Sequence, residues 1–514
     1  MKLLDIREGA TGILYVNDKK NNITYYIKPN CDLNETRKYL YDFYNLKIND
    51  ISIKEYFIYD KINMFSSSVS PLFWSFFYMY VKYKDLIDDY INKKIQFNYI
   101  TPGTFNDYIN LLKENNILCN KKYYTLKLVL NYFISLRNKI VIYLNKKSII
   151  HLTPRINDFR DENIIKDLNS NYNLLLTPLN INRFSFCFFN LKILIPTFPF
   201  KSSFFYKKKP NITNANEFDK NVISILQFAF IFCNELISRH ITVYHFTKLF
   251  YTRNKIYAII GMDDCNYPYP FLYAAHKKNI ISIGIQHGVY TSMHEAYAMN
   301  NINSHIWYDK LIVWGTYWKE KLIKINKLIS EDSIIIGTNK HTYNYQSCIK
   351  TKNNTNKSIL LPYEFLADTI TIGNYIHIFM EYGFKIYFKP RKDESIDMQI
   401  QSYHIHELEH EIEFMYEITP ESMSKIDLII GTQTTLIYDL LPYNKPIWLL
   451  DTTFNLLDDL IIEGIARKIS FSSIQNINKY FEIDVKQNIT IDKNYFFNNN
   501  SILSCINIIL KNSC

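Results

Sequence analysis

The residues able to do chemistry sit where apolar runs stop. Ile281-Ser282-Ile283-Gly284-Ile285 reads as a buried strand that breaks off into Gln286-His287-Gly288. In an open parallel sheet, ligands gather beyond the carboxyl ends of the strands, so His287 stands where a substrate would. An imidazole exchanges a proton near neutral pH, which suits it to general-base work on a hydroxyl. The structural alternative is a histidine that locks its loop. Gly288 permits a tight turn and close backbone approach by a ligand. Asp263 and Asp264 follow another apolar run, 256–261, and either position an acceptor together with Gln286 and Gly288 or cap the next helix.

A second set lies in the last third of the chain. Ile429-Ile430-Gly431-Thr432-Gln433-Thr434-Thr435 passes from a strand through glycine into a hydroxyl-rich turn and a helix that carries Asp439. Unbonded N–H groups and the helix dipole favour an anion there, such as a nucleotide phosphate. An ordinary Thr-capped helix start has the same pattern. Lys389-Pro390-Arg391-Lys392 ends a further strand, offering either cations for a diphosphate or phosphodiester leaving group or a solvated basic loop. Tyr363 and Glu364 end another, a ring to stack on a base and a carboxylate to accept from ribose or base donors. His406-Glu407-Leu408-Glu409-His410 satisfies the H-E-x-x-H zinc spacing. No clear amphipathic helix precedes it and a β-like segment follows at once, so we assign it to a polar surface connection and expect no metal.

These strand ends require parallel sheets to carry them. From about Lys139 onward, short β-rich runs alternate with amphipathic stretches, the βαβ pattern of an α/β fold. The first set of strands reads as 140–144, 172–176, 256–261, 280–285, 311–314 and 334–337, with a helical pattern over 217–238. The stretch 346–357, rich in Asn and Lys, reads as a linker. Strands then restart at 358–361, 385–388, 413–418 and 427–430, with a short helix opened by Thr419-Pro420. The expected organisation is a mixed α/β region over 1–136, one Rossmann-like domain over 137–345 and a second over 346–514.

Composition narrows the function class. The 514 residues exceed what one core accommodates, and 42 Tyr with 35 Phe exclude a disordered chain. Lys and Arg total 59 against 49 Asp and Glu, a net +10 that favours acidic partners such as phosphates, nucleotides or anionic lipid. No zinc-finger spacing, basic-region heptad or RNP-type aromatic run accompanies it, so nucleic acid is not an expected partner. The eight cysteines never form C-x-x-C, which fits a reducing cytoplasm. Charged residues interrupt the first eight positions too early for a signal core. The apolar stretch between Lys61 and Lys82 carries too many serines for a span. Two aromatic and basic segments, 72–78 with Lys82 and Lys84, and 204–209, read either as footholds on an anionic inner-membrane surface or as a core helix and a solvated loop.

Over about 256–451 the chain resembles bacterial GT-B glycosyltransferases of capsule and O-antigen synthesis, and the related teichoic-acid glycerophosphotransferases. The resemblance lies in the strand-end Q-H-G, the strand-end basic-Pro pair and the G-x-x-[ST]-[ST]-hydrophobic-acidic helix start, in that order. It implies two Rossmann-like domains facing a cleft, the acceptor mainly on the first and a nucleotide-sugar donor mainly on the second. His287 then matches the proposed general base, and Thr434 and Thr435 the hydroxyl pair at the donor phosphates. Gly431, Thr432, Glu364, Lys389, Arg391 and Asp439 complete the expected donor side, with no metal or other cofactor. Relatives often have His where this chain has Arg391, and Glu where it has Asp439. The implied activity is sugar transfer to a lipid-linked glycan. The alternatives are CDP-polyol phosphate transfer and a non-catalytic scaffold in polysaccharide assembly.

Overall fold

The computed structural model describes residues 2–8, 13–30, 32–114, 121–155, 162–180, 184–199, 211–263, 269–290, 308–326, 329–338, 357–364, 369–391, 395–432, 434–452, 457–486 and 492–513. An amino-terminal sheet runs Ile23–Ile27, Leu14–Asp18, Lys2–Glu8, Ile95–Ile100, antiparallel except for the last pair. Strict alternation turns Leu4, Ile6, Leu14 and Val16 inward. They meet the helices Leu33–Tyr44 and Met64–Lys82, where Phe43, Phe73 and Phe77 complete the core. Of the two readings of the stretch 72–78, membrane foothold or core helix, burial of Phe73, Phe76 and Phe77 supports the core helix. The other expected foothold, 204–209, lies outside the described residues.

The central sheet has six parallel strands in the order 2-1-3-4-5-6: Asn173–Asn180, Ser148–Arg155, Ile256–Met262, Ile281–Ile285, Lys310–Val313 and Ile334–Ile336. One expectation fails here. The run 140–144 is not a strand but the end of the helix Lys121–Leu144, which crosses the expected boundary at 136. Buried Asn131, Ile134, Ser135, Asn138, Val141 and Ile142 recur at helical spacing, and packing of that face overrides the strand preference of Ile-Val-Ile. Ser148–Arg155, which sequence reading passed over, takes the vacant place. The helical pattern expected over 217–238 extends as Lys220–Phe250. Its segment Val222–Phe250 is long and apolar enough to cross a membrane, yet Ile225, Leu226, Phe230, Cys233 and Ile241 belong to the main core.

The carboxyl-terminal sheet has the Rossmann order 3-2-1-4-5-6: Glu413–Phe414, Lys385–Lys389, Ser358–Pro362, Leu428–Gly431, Ile447–Leu450 and Ala466–Ile469, all parallel. Thr419 closes a capping box at the helix Pro420–Ser424 with proline in its first turn, as the sequence suggested. The chain does not end in this unit as expected. The helix Ile502–Ser513 returns to the central sheet, where Ile502, Cys505, Ile506 and Ile509 pack under Ile149, Ile260, Ile283 and Ile312. The Thr338 N–H donates to the Asn500 carbonyl at 2.8 Å and the Trp318 indole to Phe496 at 3.0 Å, fixing the crossing.

The two units meet through the helices Thr316–Ile325, Leu436–Leu440 and Asp458–Ile462. Tyr317 and Lys321, after one central strand, bond Asp459, which follows a strand of the other sheet, and Tyr438 joins them at 3.1 Å. The architecture is GT-B-like: two Rossmann-like units and an additional mixed α/β amino-terminal region.

Candidate functional site

On the central side, the parallel register lifts Asp263 out of its strand beside the neighbouring strand's end, where its N–H donates to the Ile285 carbonyl at 3.0 Å. One oxygen of its buried carboxylate accepts the His287 N–H at 3.0 Å, and the other accepts the Tyr290 hydroxyl at 2.7 Å. Gln286 is equally committed. Its side-chain amide donates to the Gly288 carbonyl and accepts from the Trp314 N–H, both at 2.8 Å, while the Trp314 indole donates to the Gln286 carbonyl at 3.1 Å. Asp263 and Gln286, expected to contact an acceptor, brace the loop that presents half-buried His287. A side chain at Gly288 would meet no atom of the described residues within 4 Å. Asp264 lies outside the described residues.

On the other side, the strand order reverses between Ser358–Pro362 and Leu428–Gly431, the crevice where such sheets bind ligands. The chain fills part of it. Glu364 is buried and bridges the two strand ends: Oε1 accepts the Thr432 N–H at 2.9 Å and Oε2 accepts the Thr432 hydroxyl. Gly431 is required by this bridge, because a Cβ there would lie 2.8 Å from Glu364 Oε1. Glu364 and Thr432, expected at a donor, are thus bound to each other. Tyr363 is half-buried with its ring 5.3 Å from that of Tyr403, whose hydroxyl accepts the Glu364 N–H at 2.9 Å. Thr434 Oγ accepts the Leu436 N–H at 3.3 Å, whereas Thr435 is exposed and makes no capping bond. Asp439 is half-buried on the helix Leu436–Leu440.

One strand further out, Lys389, Pro390 and Arg391 line a cavity of about 380 Å³ with Ser395, Ile396, Tyr416 and Glu417. Fully buried Gln399 sets the loop, accepting the Arg391 N–H and donating to its carbonyl, both at 2.9 Å. Arg391 is exposed, and among the described lining residues Lys389 and Arg391 stand as two cations against the one carboxylate of Glu417. Such a balance suits a phosphorylated ligand.

No protein-family model matches the chain, and no curated protein matches it in sequence. Solved structures similar to it include the UDP-GlcNAc 2-epimerase from Methanocaldococcus jannaschii, 13% identical with a TM-score of 0.41 over 72% of this chain and 100% of that one. MurG from Acinetobacter baumannii is 10% identical with a TM-score of 0.44, over 72% and 100%. A variant of the wall teichoic acid polymerase TagF is 12% identical with a TM-score of 0.36, over 77% and 97%. The fold stands on the strand order of this chain.

The expected residues therefore gather in three groups: Asp263, Gln286, His287 and Gly288; Glu364, Gly431 and Thr432; and Lys389 with Arg391. Sequence reading missed Tyr290, Trp314 and Gln399, which hold these groups in place. Tyr290, three residues past His287, was visible as a polar aromatic in the motif. Gln399 carried no signal, since it lies eight residues from Arg391 in the chain. The H-E-x-x-H segment forms the 3-10 helix His406–Glu411. At about three residues per turn, His406 and His410 do not stack on one face as they would in an α-helix.

Proposed function

We propose that this protein transfers a sugar from a nucleotide-activated donor to a lipid-linked surface glycan of capsule or O-antigen type, at the cytoplasmic face of the membrane. The observation that carries the reading is the cavity bearing Lys389 and Arg391 beyond the strand ends of a Rossmann-ordered sheet. A diphosphate seated there has its charge opposed by both cations as the bond to the sugar breaks. His287 takes the proton from the attacking acceptor hydroxyl, and Asp263, which accepts the backbone N–H of His287, is a positioning residue that holds the loop. The acceptor approaches beside Gly288, where no atom of the described residues would meet a side chain. The reading needs no metal, because side chains neutralise the leaving group.

A thermal-shift panel of nucleoside diphosphates tests it. At a hundred times its dissociation constant, a bound nucleotide stabilises by about 2.7 kcal/mol, and Lys389→Gln with Arg391→Gln should abolish that shift. His287→Ala should lower turnover by about 10²–10⁴-fold with the nucleotide shift intact. A response confined to cytidine nucleotides, with polyol phosphate as the transferred group, would replace sugar transfer by the teichoic-acid chemistry. Indifference to every nucleotide would leave the non-catalytic scaffold.

A further inference from the structure

We propose that the outer face of the helix Lys121–Leu144, together with the strap that follows the helix Phe184–Phe189, is a docking surface for an anionic lipid leaflet. Phe133, Leu136, Ile140 and Leu144 are more than half exposed, and at 3.6 residues per turn they fall within roughly a third of the helix circumference. Phe189 is 82% exposed and Leu191 53% exposed; Arg137, one turn from Phe133, donates to the carbonyls on either side of Phe189, and Asn145, next to Leu144, donates to the Leu191 carbonyl.

The opposite face of the same helix holds the strap. Asn131 and Asn138, seven residues apart, each exchange two hydrogen bonds with the strap backbone. Asn138 bonds Ile195 at 2.7 and 3.0 Å, and Asn131 bonds Phe198 at 2.9 and 2.8 Å. Asn145, the next in the series, donates to the Leu191 carbonyl at 3.1 Å, and Arg137 donates to the Cys187, Phe188 and Asn190 carbonyls. The fold thus holds the strap in place with Ile193, Leu194 and Ile195 buried and Phe189 and Leu191 turned to solvent. An apolar patch of this kind marks an interaction site rather than a stray exposed residue.

Charge selects the occupant. Neither 121–147 nor 184–199 contains an Asp or Glu, while Lys139, Lys146 and Lys192 are exposed around the stripe. A second copy docked face to face would bring the same lysines against one another, because a two-fold contact pairs a patch with itself. An anionic leaflet supplies the opposite charge to the lysines and an acyl boundary to the aromatic and aliphatic side chains. The surface lies on the flank of the central sheet, apart from the cavity at Lys389, and the proposal does not depend on the reading of that cavity.

Co-sedimentation of the full chain with phosphatidylcholine vesicles, with and without about a third phosphatidylglycerol, tests it. Binding should require the anionic lipid and weaken with salt. It should fall by at least about tenfold when Phe133, Ile140 and Phe189 become Ser. It should fall by about a hundredfold when Lys139, Lys146 and Lys192 become Gln. Circular dichroism checks that these surface variants stay folded. Leu136→Trp, tested separately, should have its added emission quenched by brominated acyl chains. Equal binding to neutral vesicles, full retention by either triple variant, an unquenched Leu136→Trp, or a dimer that the Ser variant dissolves would each overturn the proposal.

Discussion

At the scale of single residues, the contact between Glu364 and Thr432 converts an expected ligand contact into a fold contact. A buried carboxylate is tolerated because both oxygens accept hydrogen bonds, from the Thr432 N–H and hydroxyl. Gly431→Ala pushes a methyl group toward Glu364 Oε1, and we expect a stability loss of about 1–3 kcal/mol in urea titration. An unchanged midpoint would show that the carboxylate moves aside freely. Thr435→Val should leave stability within about 0.5 kcal/mol, because that hydroxyl is exposed and caps nothing. Any loss of nucleotide affinity in that variant is then a direct effect. His240 sets a pH dependence. Burial, with Arg239 beside it, holds its pKa down at about 4 against an ordinary 6.5. As the pH falls across that window, the unfolded chain takes up a proton that the folded chain refuses. Stability present above the window is therefore lost across it, by at most about 3 kcal/mol. His240→Gln should flatten this part of the profile of urea midpoint against pH, and an identical slope in the variant would assign the loss to other groups.

At the scale of elements, the helix Lys121–Leu144 is decided by its buried face. The strap pairs with the edge strand of the central sheet around Leu176, which bonds the Lys192 carbonyl and the Leu194 N–H, and the Asn131, Asn138 and Asn145 series supplies partners for the backbone groups beyond that bridge. Asn138→Leu is close in volume but leaves the Ile195 N–H and carbonyl without these partners, so we expect a loss of about 3 kcal/mol. Amide exchange should accelerate over 190–198 first. Uniform protection across that segment in the variant would mean that apolar packing around Ile193 and Ile195 holds it alone.

At the scale of the whole molecule, two links tie the Rossmann-like units together: the carboxyl-terminal crossing and the cluster at Asp459. Burial above all, with the neighbouring phenol and carboxylate, keeps the Tyr317 pKa well above its ordinary range, and burial and Asp459 do the same for Tyr438. Both phenols therefore remain donors to Asp459 at neutral pH, alongside Lys321. Asp459→Ala strands the Lys321 ammonium, whose side chain is only 16% exposed, among the aromatic rings of Tyr317, Trp318 and Tyr438. We expect a loss of about 2 kcal/mol. Faster amide exchange over Thr316–Ile325 should accompany it. Exchange unchanged there would show that the crossing helix alone holds the units together.

Local chemistry determined much of this protein from its sequence. Apolar runs ending in Gly, His or basic residues marked the carboxyl ends of parallel strands, and the break in their rhythm near 346–357 separated two sets. His287, Lys389 and Arg391 were found this way because a strand end and its loop are written consecutively in the chain. Tertiary structure alone decided what those loops bind. Glu364 reaches Thr432 across 68 residues and Asp263 reaches His287 across 24, so side chains that looked available to a ligand are committed to the fold. The same holds for 140–144 and for the final helix. Intrinsic preference favoured a strand for the first, and continuity placed the second in the carboxyl-terminal unit. Burial of one face against a distant partner overruled both, because the free energy of a packed face exceeds the few tenths of a kcal/mol per residue by which local preference differs.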